Sequence, residues 1–150
     1  MTGKAPSEDL LGDSLSARLG FQLVKAAIGV RRAYAAELRR HGLLPHQHAI
    51  LAVLVDGEGL YQRQLAEAVR VDPPDLVPYI DGLVKEGLAA RSPDPKDRRR
   101  QIVTITPAGT ERLGEADRGL DVVESALFRR LSSSDRSRLR KVLAEIDQED

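Results

Sequence analysis

The chain has 150 residues with 23 basic and 23 acidic side chains, so its formal net charge is zero and any affinity for a polyanion must come from local clustering of charge. It contains no cysteine, which excludes disulfide bonds, thiol redox sensing, a cysteine nucleophile and a thiolate metal site. Aromatic residues make up only 3% of the chain and charged residues 31%, a balance that favours one helical domain with an aliphatic core.

The N-terminal residues 1–13 are polar and rich in glycine, proline and serine, and we expect them to be flexible. They lack the hydrophobic core of a signal peptide. No apolar run in the chain approaches the roughly 18 residues that a membrane-spanning helix needs. The sequence therefore predicts a cytoplasmic protein that has no membrane partner.

A long first helix is predicted from Ser14, because apolar residues recur from there at steps of three and four. His41 and Gly42 end it, with glycine in its usual C-terminal position. Such a helix of about 25 residues would span about 38 Å, which is too long for a small domain to cover alone. We therefore expect a partner subunit to cover its apolar stripe, which consists of Leu15, Leu19, Leu23, Ala26, Ala27, Val30, Tyr34 and Leu38.

Three shorter helices are predicted next, over residues 45–55, 62–71 and 73–86, separated by tight turns. The last of them has favourable ends, with Asp72 as N-cap and Gly87 as the stop. Its interior contains a proline, so we expect a bend in its first turns. The predicted core faces of the first and last of these helices are Ile50, Leu51 and Leu54, and Leu76, Ile80, Leu83 and Val84.

From residue 88 the apolar period changes to that of strands, over residues 88–91 and 101–105. The connecting segment SPDPKDRRR is rich in proline and aspartate, which suit a long turn, so the pattern predicts a β-hairpin wing. Thr106 then caps a second long helix that reaches about residue 130. A capping box of Ser132 and Asp135 starts the last helix, whose buried face is predicted to be Leu139, Val142, Leu143 and Ile146.

This order of elements, together with the segment DPKDRRRQIVTIT followed by PAG, resembles the MarR family of transcriptional regulators, most strongly over residues 65–113. The resemblance implies a mostly α-helical fold, a winged helix-turn-helix with a two-stranded β-wing and long N- and C-terminal helices that form a dimerisation domain. It divides the chain into a DNA-binding domain at residues 45–106 and a helical dimerisation region at residues 14–44 and 107–150. It also implies a homodimeric repressor that binds palindromic double-stranded DNA and leaves the DNA when a small aromatic or phenolic effector binds.

The predicted wing carries the strongest local charge in the chain. Residues 91–100 hold five basic side chains against two acidic ones, a surplus of three. The planar, always charged guanidinium of arginine suits a minor groove. By resemblance, Arg98 or Arg99 enters that groove beside Lys96, while Asp97 braces the loop. The alternative is that these charged side chains form only a solvated surface and do not bind DNA.

The predicted recognition helix departs from the family pattern. Pro73 and Pro74 have no amide hydrogen to offer a phosphate, and Asp75 adds negative charge in the same turn. Asp75 could accept from a cytosine amino group while Val77 or Pro78 contacts a thymine methyl. Alternatively Asp75 only stabilises the start of the helix, or DNA binding is lost.

The start of the preceding helix offers three further polar side chains. Gln62, Arg63 and Gln64 are candidates for contacts with phosphates or base edges. The alternative is that they are simply the exposed polar face of an amphipathic helix.

The remaining candidates concern a ligand or a metal. Phe21, Tyr34 and His41 are predicted to line an effector pocket where the long helices meet the winged domain, unless they are simple core residues. The histidines His41, His46 and His48 lie close in sequence, but no carboxylate pattern completes a zinc site, so no metal is predicted. No catalytic triad, phosphate loop or dinucleotide fingerprint is visible, so neither an enzyme nor a cofactor is expected. The alternative function is a dimeric winged-helix interaction or ligand-binding protein with weak or lost DNA recognition.

Overall fold

A computed structural model describes residues 12–147, so residues 1–11, which make up most of the segment predicted to be flexible, lie outside the described part. The described residues form a mostly helical fold with one small sheet. In chain order its elements are α1 (Asp13–Ser16), α2 (Leu19–Arg40), α3 (Pro45–Leu54), β1 (Leu60–Tyr61), α4 (Gln62–Val69), α5 (Pro73–Lys85), β2 (Ala89–Pro93), β3 (Gln101–Ile105), α6 (Pro107–Leu127) and α7 (Ser133–Ile146).

The core lies in the middle of the chain, between α3, α4, α5 and the sheet. The predicted inner faces of α3 and α5 are buried, apart from Val84, which is half-buried. Leu38 from the end of α2 and Leu113 from α6 are buried in the same cluster, so the two long helices pack on this core. Each fully buried leucine contributes about 1.5–3 kcal/mol relative to an exposed one, so this cluster is what holds α5 and the wing in place.

The sheet has three antiparallel strands in the order β1-β3-β2. Strands β2 and β3 form the predicted two-stranded wing, and β1 is a further strand that the sequence did not predict. The added strand β1 pairs Leu60 with the fully buried Val103 and Tyr61 with Ile102. Because it has only two residues, its sequence cannot display the alternation that identifies a strand. Its effect is to attach the start of α4 to the wing.

The apolar pattern predicts one unbroken helix from Ser14, but the structure divides this segment into two helices. Arg18 has extended backbone (φ −71°, ψ 125°), which separates the short α1 from α2. The side-chain amide of Gln22 donates to the carbonyl of Ser16 (2.9 Å) across this break. Leu15 and Leu19 remain four residues apart on either side, so the apolar period gives no sign of the break.

Most predicted helix ends are confirmed, with small shifts. Gly42 and Gly87 follow α2 and α5 with positive φ (69° and 70°), a conformation that glycine adopts without a steric penalty. The hydroxyl of Thr106 accepts a hydrogen bond from the Gly109 amide (3.0 Å), and Ser132 does the same for Asp135 (3.1 Å). The second long helix ends at residue 127, three residues before the predicted end.

The start of α5 differs from the prediction in one respect. Asp72 occupies the N-cap position, but its carboxylate makes no capping hydrogen bond. Pro74 has no amide hydrogen, and the Asp75 amide donates to the backbone carbonyl of Asp72 instead (2.9 Å). The helix continues through Pro78, and the bend expected there stays a prediction.

The apolar residues of the outer helices are largely uncovered. The face of α7 predicted to be buried is exposed in the single chain, and so is much of α2. Within the described part of the chain, no helix is long and apolar enough to cross a membrane. The exposed apolar residues of α2 and α7 include Leu19, Leu23, Val24, Ile28, Leu139, Val142, Leu143 and Ile146.

Candidate nucleic-acid interface and adjoining cavity

The wing loop is closed by backbone hydrogen bonds and by one buried carboxylate. The Asp94 amide donates to the carbonyl of Arg100 (2.9 Å), and the Arg100 amide donates to the carbonyl of Asp97 (2.9 Å). The Asp94 side chain is only 4% exposed and accepts from the Tyr61 hydroxyl and from the Lys96 amide (2.9 Å). The hydrogen bond from Tyr61, followed by that from Lys96, lowers the pKa of Asp94 below its usual range. Sequence reasoning missed this role of Asp94, because its partner Tyr61 lies 33 residues earlier.

The two arginines at the wing tip differ in what they contact. The Asp97 carboxylate accepts from both the backbone amide (3.2 Å) and the Nε (3.1 Å) of Arg99, so the guanidinium of Arg99 is folded back onto the loop. Arg98 is exposed and forms no hydrogen bond or ion pair with any residue in the range 12–147. Lys96 is also exposed. Arg98 is thus the side chain of the tip that is free to reach an external anion.

Arg100 points back toward the domain. Its guanidinium carbon lies 4.0 Å from the centre of the Tyr61 ring, a cation–π contact. The same ring therefore holds the buried Asp94 through its hydroxyl and Arg100 through its face.

The polar residues at the start of α4 are partly used within the fold. The side-chain oxygen of Gln64 accepts from the backbone amide of Tyr61 (3.0 Å), and this contact caps the helix in place of the usual serine or threonine. The side-chain oxygen of Gln62 accepts from Nε of Arg91 (3.1 Å), and Nη2 of Arg91 pairs with Asp81 on α5 (2.7 Å). Arg63 is exposed and has no partner among the described side chains.

A shallow groove of about 360 Å³ runs between the start of α4 and the wing. Its walls carry three arginines and amide side chains, so it presents positive charge next to the wing tip. The lining residues are Tyr61, Gln62, Arg63, Arg91, Arg100 and Gln101.

On α5, the candidate base-contacting residues lie away from the buried face. Asp75 and Pro78 are exposed and Val77 is half-buried. Throughout residues 12–147, nothing forms a hydrogen bond or ion pair with the Asp75 carboxylate. That carboxylate is available as an acceptor, whereas Asp81 further along the helix is paired with Arg91.

A larger cavity of about 580 Å³ lies where α2, α3, α6 and α7 meet. Tyr34 lines this cavity and donates its hydroxyl hydrogen to Glu124. Burial is the largest cause that raises the pKa of Tyr34 well above its usual range, and the Glu124 carboxylate is the second. His48 also lines it, with Nε2 2.7 Å from the Asp117 carboxylate. Its other lining residues are mostly apolar, and we call this space the main cavity.

Two of the three predicted pocket residues lie outside the main cavity. Phe21 is half-buried near the start of α2, and a ring nitrogen of His41 lies 3.0 Å from the Glu37 carboxylate. The His41 carbonyl also accepts from Arg112 (3.0 Å). Sequence reasoning noticed His48 only as a candidate metal ligand, because nothing local indicated its partner 69 residues away.

The three histidines do not form one cluster. The ring of His46 packs against that of Tyr79, with centroids 4.9 Å apart, while His41 and His48 contact different carboxylates. In the part of the chain that the structure covers, no three potential metal ligands come together.

Known proteins are similar to this chain in sequence and in fold. The sequence profile described as the MarR family matches residues 41–100. A putative transcriptional regulatory protein for the hcr operon of Thauera aromatica is 30% identical over 152 residues, which cover 99% of this chain and 92% of that protein. This chain belongs to the MarR family. It is therefore a transcriptional regulator with a DNA-binding winged helix-turn-helix, and not an enzyme, as the sequence predicts.

Solved structures of MarR relatives match over nearly the whole chain. The transcriptional repressor CouR bound to a 23-mer DNA duplex is 28% identical, with a TM-score of 0.85 over 91% of this chain and 96% of that one. CouR from Rhodococcus jostii RHA1 bound to p-coumaroyl-CoA is 27% identical, with a TM-score of 0.78 over 90% and 95%. These neighbours confirm the predicted winged-helix fold for this MarR protein.

Proposed function

We propose that this MarR protein is a homodimeric repressor that binds palindromic double-stranded DNA through its wing and α5, and that a small aromatic effector releases it. The observation that carries the proposal is the wing, where the free Arg98 is mounted on a loop fixed by the buried Asp94. Because the loop is already fixed, only the Arg98 side chain, and not the loop backbone, loses conformational freedom when it enters a groove. The DNA-bound relative CouR supports the same use of the fold.

Contacts with phosphate are expected from the wing and the adjoining groove rather than from the start of α5. Arg98, Lys96 and Arg63 are exposed cations on this side of the molecule, and Arg99 lies beside them with its charge partly neutralised by Asp97. The first turn of α5 has no amide hydrogen at Pro73 or Pro74, which removes two of the donors that usually hold phosphate.

Sequence selectivity is assigned to the outer face of α5 and the start of α4. The free carboxylate of Asp75 is suited to accept from a cytosine amino group, and Val77 and Pro78 offer apolar surface to a thymine methyl. The side-chain NH₂ groups of Gln62 and Gln64 remain to be used, because only their carbonyl oxygens have described partners.

The dimer is proposed from apolar surface that the single chain leaves open. Leu19, Val24 and Ile28 on α2 are 75%, 58% and 54% exposed, and Val142 and Ile146 on α7 are 44% and 57% exposed. Several exposed apolar side chains on two neighbouring helices favour an interface with a second copy of the chain. Residues 14–44 and 107–150 would then form the dimerisation region, and residues 45–106 the DNA-binding domain.

The effector is assigned to the main cavity. Its volume of about 580 Å³ lies within the range of small-molecule sites, and its walls are mostly apolar with a few polar groups such as Tyr34 and His48. CouR bound to p-coumaroyl-CoA supports a ligand that contains an aromatic ring. Because the cavity touches α3 as well as the outer helices, a ligand there can change how the DNA-binding domain sits on the dimer.

The test is selection from a random library of duplexes with the full chain, followed by binding at several salt concentrations. We expect enrichment of an inverted repeat whose half-sites lie about one helical turn, roughly 10 base pairs, apart. Affinity should fall steeply with salt. Failure to enrich any sequence would favour the alternative, a winged-helix protein that binds ligands or proteins without reading an operator.

A further inference from the structure

Arg91 joins three elements of the winged domain. It lies on β2, where its backbone pairs with Val103 of β3. Its Nη2 lies 2.7 Å from the Asp81 carboxylate on α5, and its Nε donates to the side-chain oxygen of Gln62 on α4 (3.1 Å). The Arg91 side chain is only 24% exposed, so solvent and salt screen this ion pair less than one on the open surface. Arg91 therefore holds Gln62 with a guanidinium that is itself anchored to α5.

Arg91 also determines which way round the amide group of Gln62 lies. A guanidinium has donors and no acceptor, so the oxygen of the amide, and not its NH₂ group, must face it. That NH₂ group forms no hydrogen bond with any residue in the range 12–147. Gln62 also lines the shallow groove between the start of α4 and the wing. Gln62 thus offers DNA a donor without its usual neighbouring acceptor.

This fixed orientation changes which base Gln62 can read. A glutamine reads adenine when its oxygen accepts from the N6 amino group while its NH₂ group donates to N7. The oxygen and the NH₂ group must then face the base together, whereas the oxygen of Gln62 is held against Arg91. In the major groove guanine presents two acceptors, N7 and O6, and no donor. An NH₂ group that acts alone therefore fits guanine and is opposed by the amino group of adenine.

We propose that Arg91 is a positioning residue that makes Gln62 select guanine rather than adenine in the major groove. The inference rests on the proposed binding of DNA. It adds the base that one side chain of α4 reads and the residue that sets this choice. Arg91 acts through Gln62 and needs no contact of its own with DNA.

The test is selection from a random library of duplexes with the full-length wild type, Gln62→Ala and Arg91→Met. Gln62→Ala should relax the base preference at one position of each half-site, which identifies the base pair that Gln62 contacts. The wild type should favour G·C over A·T there by about tenfold. Methionine has no donor, so in Arg91→Met the Gln62 oxygen is free to accept, and the preference should shift toward A·T at that position alone.

Two further variants keep the outcome interpretable. Gln62→Glu leaves an oxygen for Arg91 but replaces the NH₂ group with a second acceptor, so the guanine preference should be lost without any change to Arg91. This variant decides the question if Arg91→Met does not fold, as checked by circular dichroism. The matched control is Arg70→Met, which removes an arginine that is also paired with a carboxylate, Asp147 (2.7 Å), at the other end of α4. It should leave the base preference unchanged.

The proposal is overturned if the position identified by Gln62→Ala favours A·T in the wild type, or if Gln62→Ala relaxes no position. It is also overturned if Arg91→Met folds and lowers affinity for all sequences alike, because that result is expected of an arginine that contacts phosphate. Any of these results with an operator selected by the wild type would keep the regulator and overturn only the role of Arg91. A wild type that enriches no sequence would overturn both.

Discussion

The Tyr61 hydroxyl donates a hydrogen bond to the buried carboxylate of Asp94, and this contact joins the start of α4 to the base of the wing. The guanidinium of Arg100 lies over the face of the same ring. Together with the pairing of β1 and β3, this tyrosine holds the wing loop that carries Arg98 against the start of α4.

The first prediction concerns the acid titration of the wing. Hydrogen bonds hold the pKa of Asp94 in the folded protein below its usual value of 3.8. The ionised Asp94 therefore stabilises the fold at pH values above 3.8, and this stabilisation is lost as the pH falls through the lowered pKa of the folded state. The NMR shift of the Lys96 amide, which donates to Asp94, should follow this titration with a midpoint below 3.8. In Tyr61→Phe the midpoint should rise, because the largest cause of the lowered pKa is removed.

The control for this titration is Tyr79→Phe, a tyrosine on α5 that packs against His46. It should leave the midpoint of the Lys96 amide unchanged. An identical midpoint in the wild type and Tyr61→Phe would mean that the hydrogen bond from Tyr61 does not hold the carboxylate.

The second prediction concerns the contact between α6 and the sheet. A Cβ atom at Gly109 would collide with the Leu88 carbonyl oxygen and lie 2.8 Å from Cγ1 of Ile105. Gly109→Ala should therefore lower the free energy of unfolding by about 1–3 kcal/mol, measured by urea denaturation. Gly114→Ala on the same helix is the control; its Cβ would meet only the end of the Arg118 side chain at 3.7 Å, so helix propensity should make it neutral or stabilising. Equal effects of the two substitutions would argue against the close packing of α6 on Leu88 and β3.

The third prediction concerns the dimer. Ile28→Glu or Val142→Glu would put an unpaired charge into the proposed interface and should raise the dimer dissociation constant by roughly 100-fold or more. Sedimentation velocity at micromolar concentration measures the change. Ala52→Glu, at an exposed site on α3, should leave the dimer intact. A wild-type chain that sediments as a monomer would contradict the proposed assembly.

Much of the fold can be predicted from the sequence, because the residues that start and stop helices act on neighbours within one helical turn. Gly42 and Gly87 stop helices through their backbone freedom, and Thr106 and Ser132 start them through hydroxyls that reach the next amides. The apolar period located the buried residues of α3 and α5 for the same reason. It also marked the apolar face of α7, which is exposed in the single chain, because periodicity shows that a face is apolar but not what covers it.

The features that sequence reasoning missed depend on distant partners. Strand β1 exists because residues 60 and 61 pair with β3, some 40 residues later. The role of Asp94 depends on its hydrogen bond from Tyr61. The role of His48 depends on its contact with Asp117 and on its place in the wall of the main cavity. The charge of the wing was visible in the sequence, whereas the difference between the free Arg98 and the paired Arg99 required the geometry of the loop.

The central claim is that the wing arginines bind DNA, and the salt dependence of binding tests it most directly. The slope of log affinity against log salt concentration is measured on a selected duplex for the wild type, Arg98→Gln, Arg99→Gln and a control. The control is Arg138→Gln, an exposed arginine on α7, outside the winged domain. Each lost phosphate contact reduces the slope by about 0.9, so a dimer without Arg98 should lose up to about 2, along with affinity. Arg99→Gln should have a smaller effect, because its guanidinium is already paired with Asp97. A slope and affinity for Arg98→Gln equal to those of Arg138→Gln and the wild type would contradict the account.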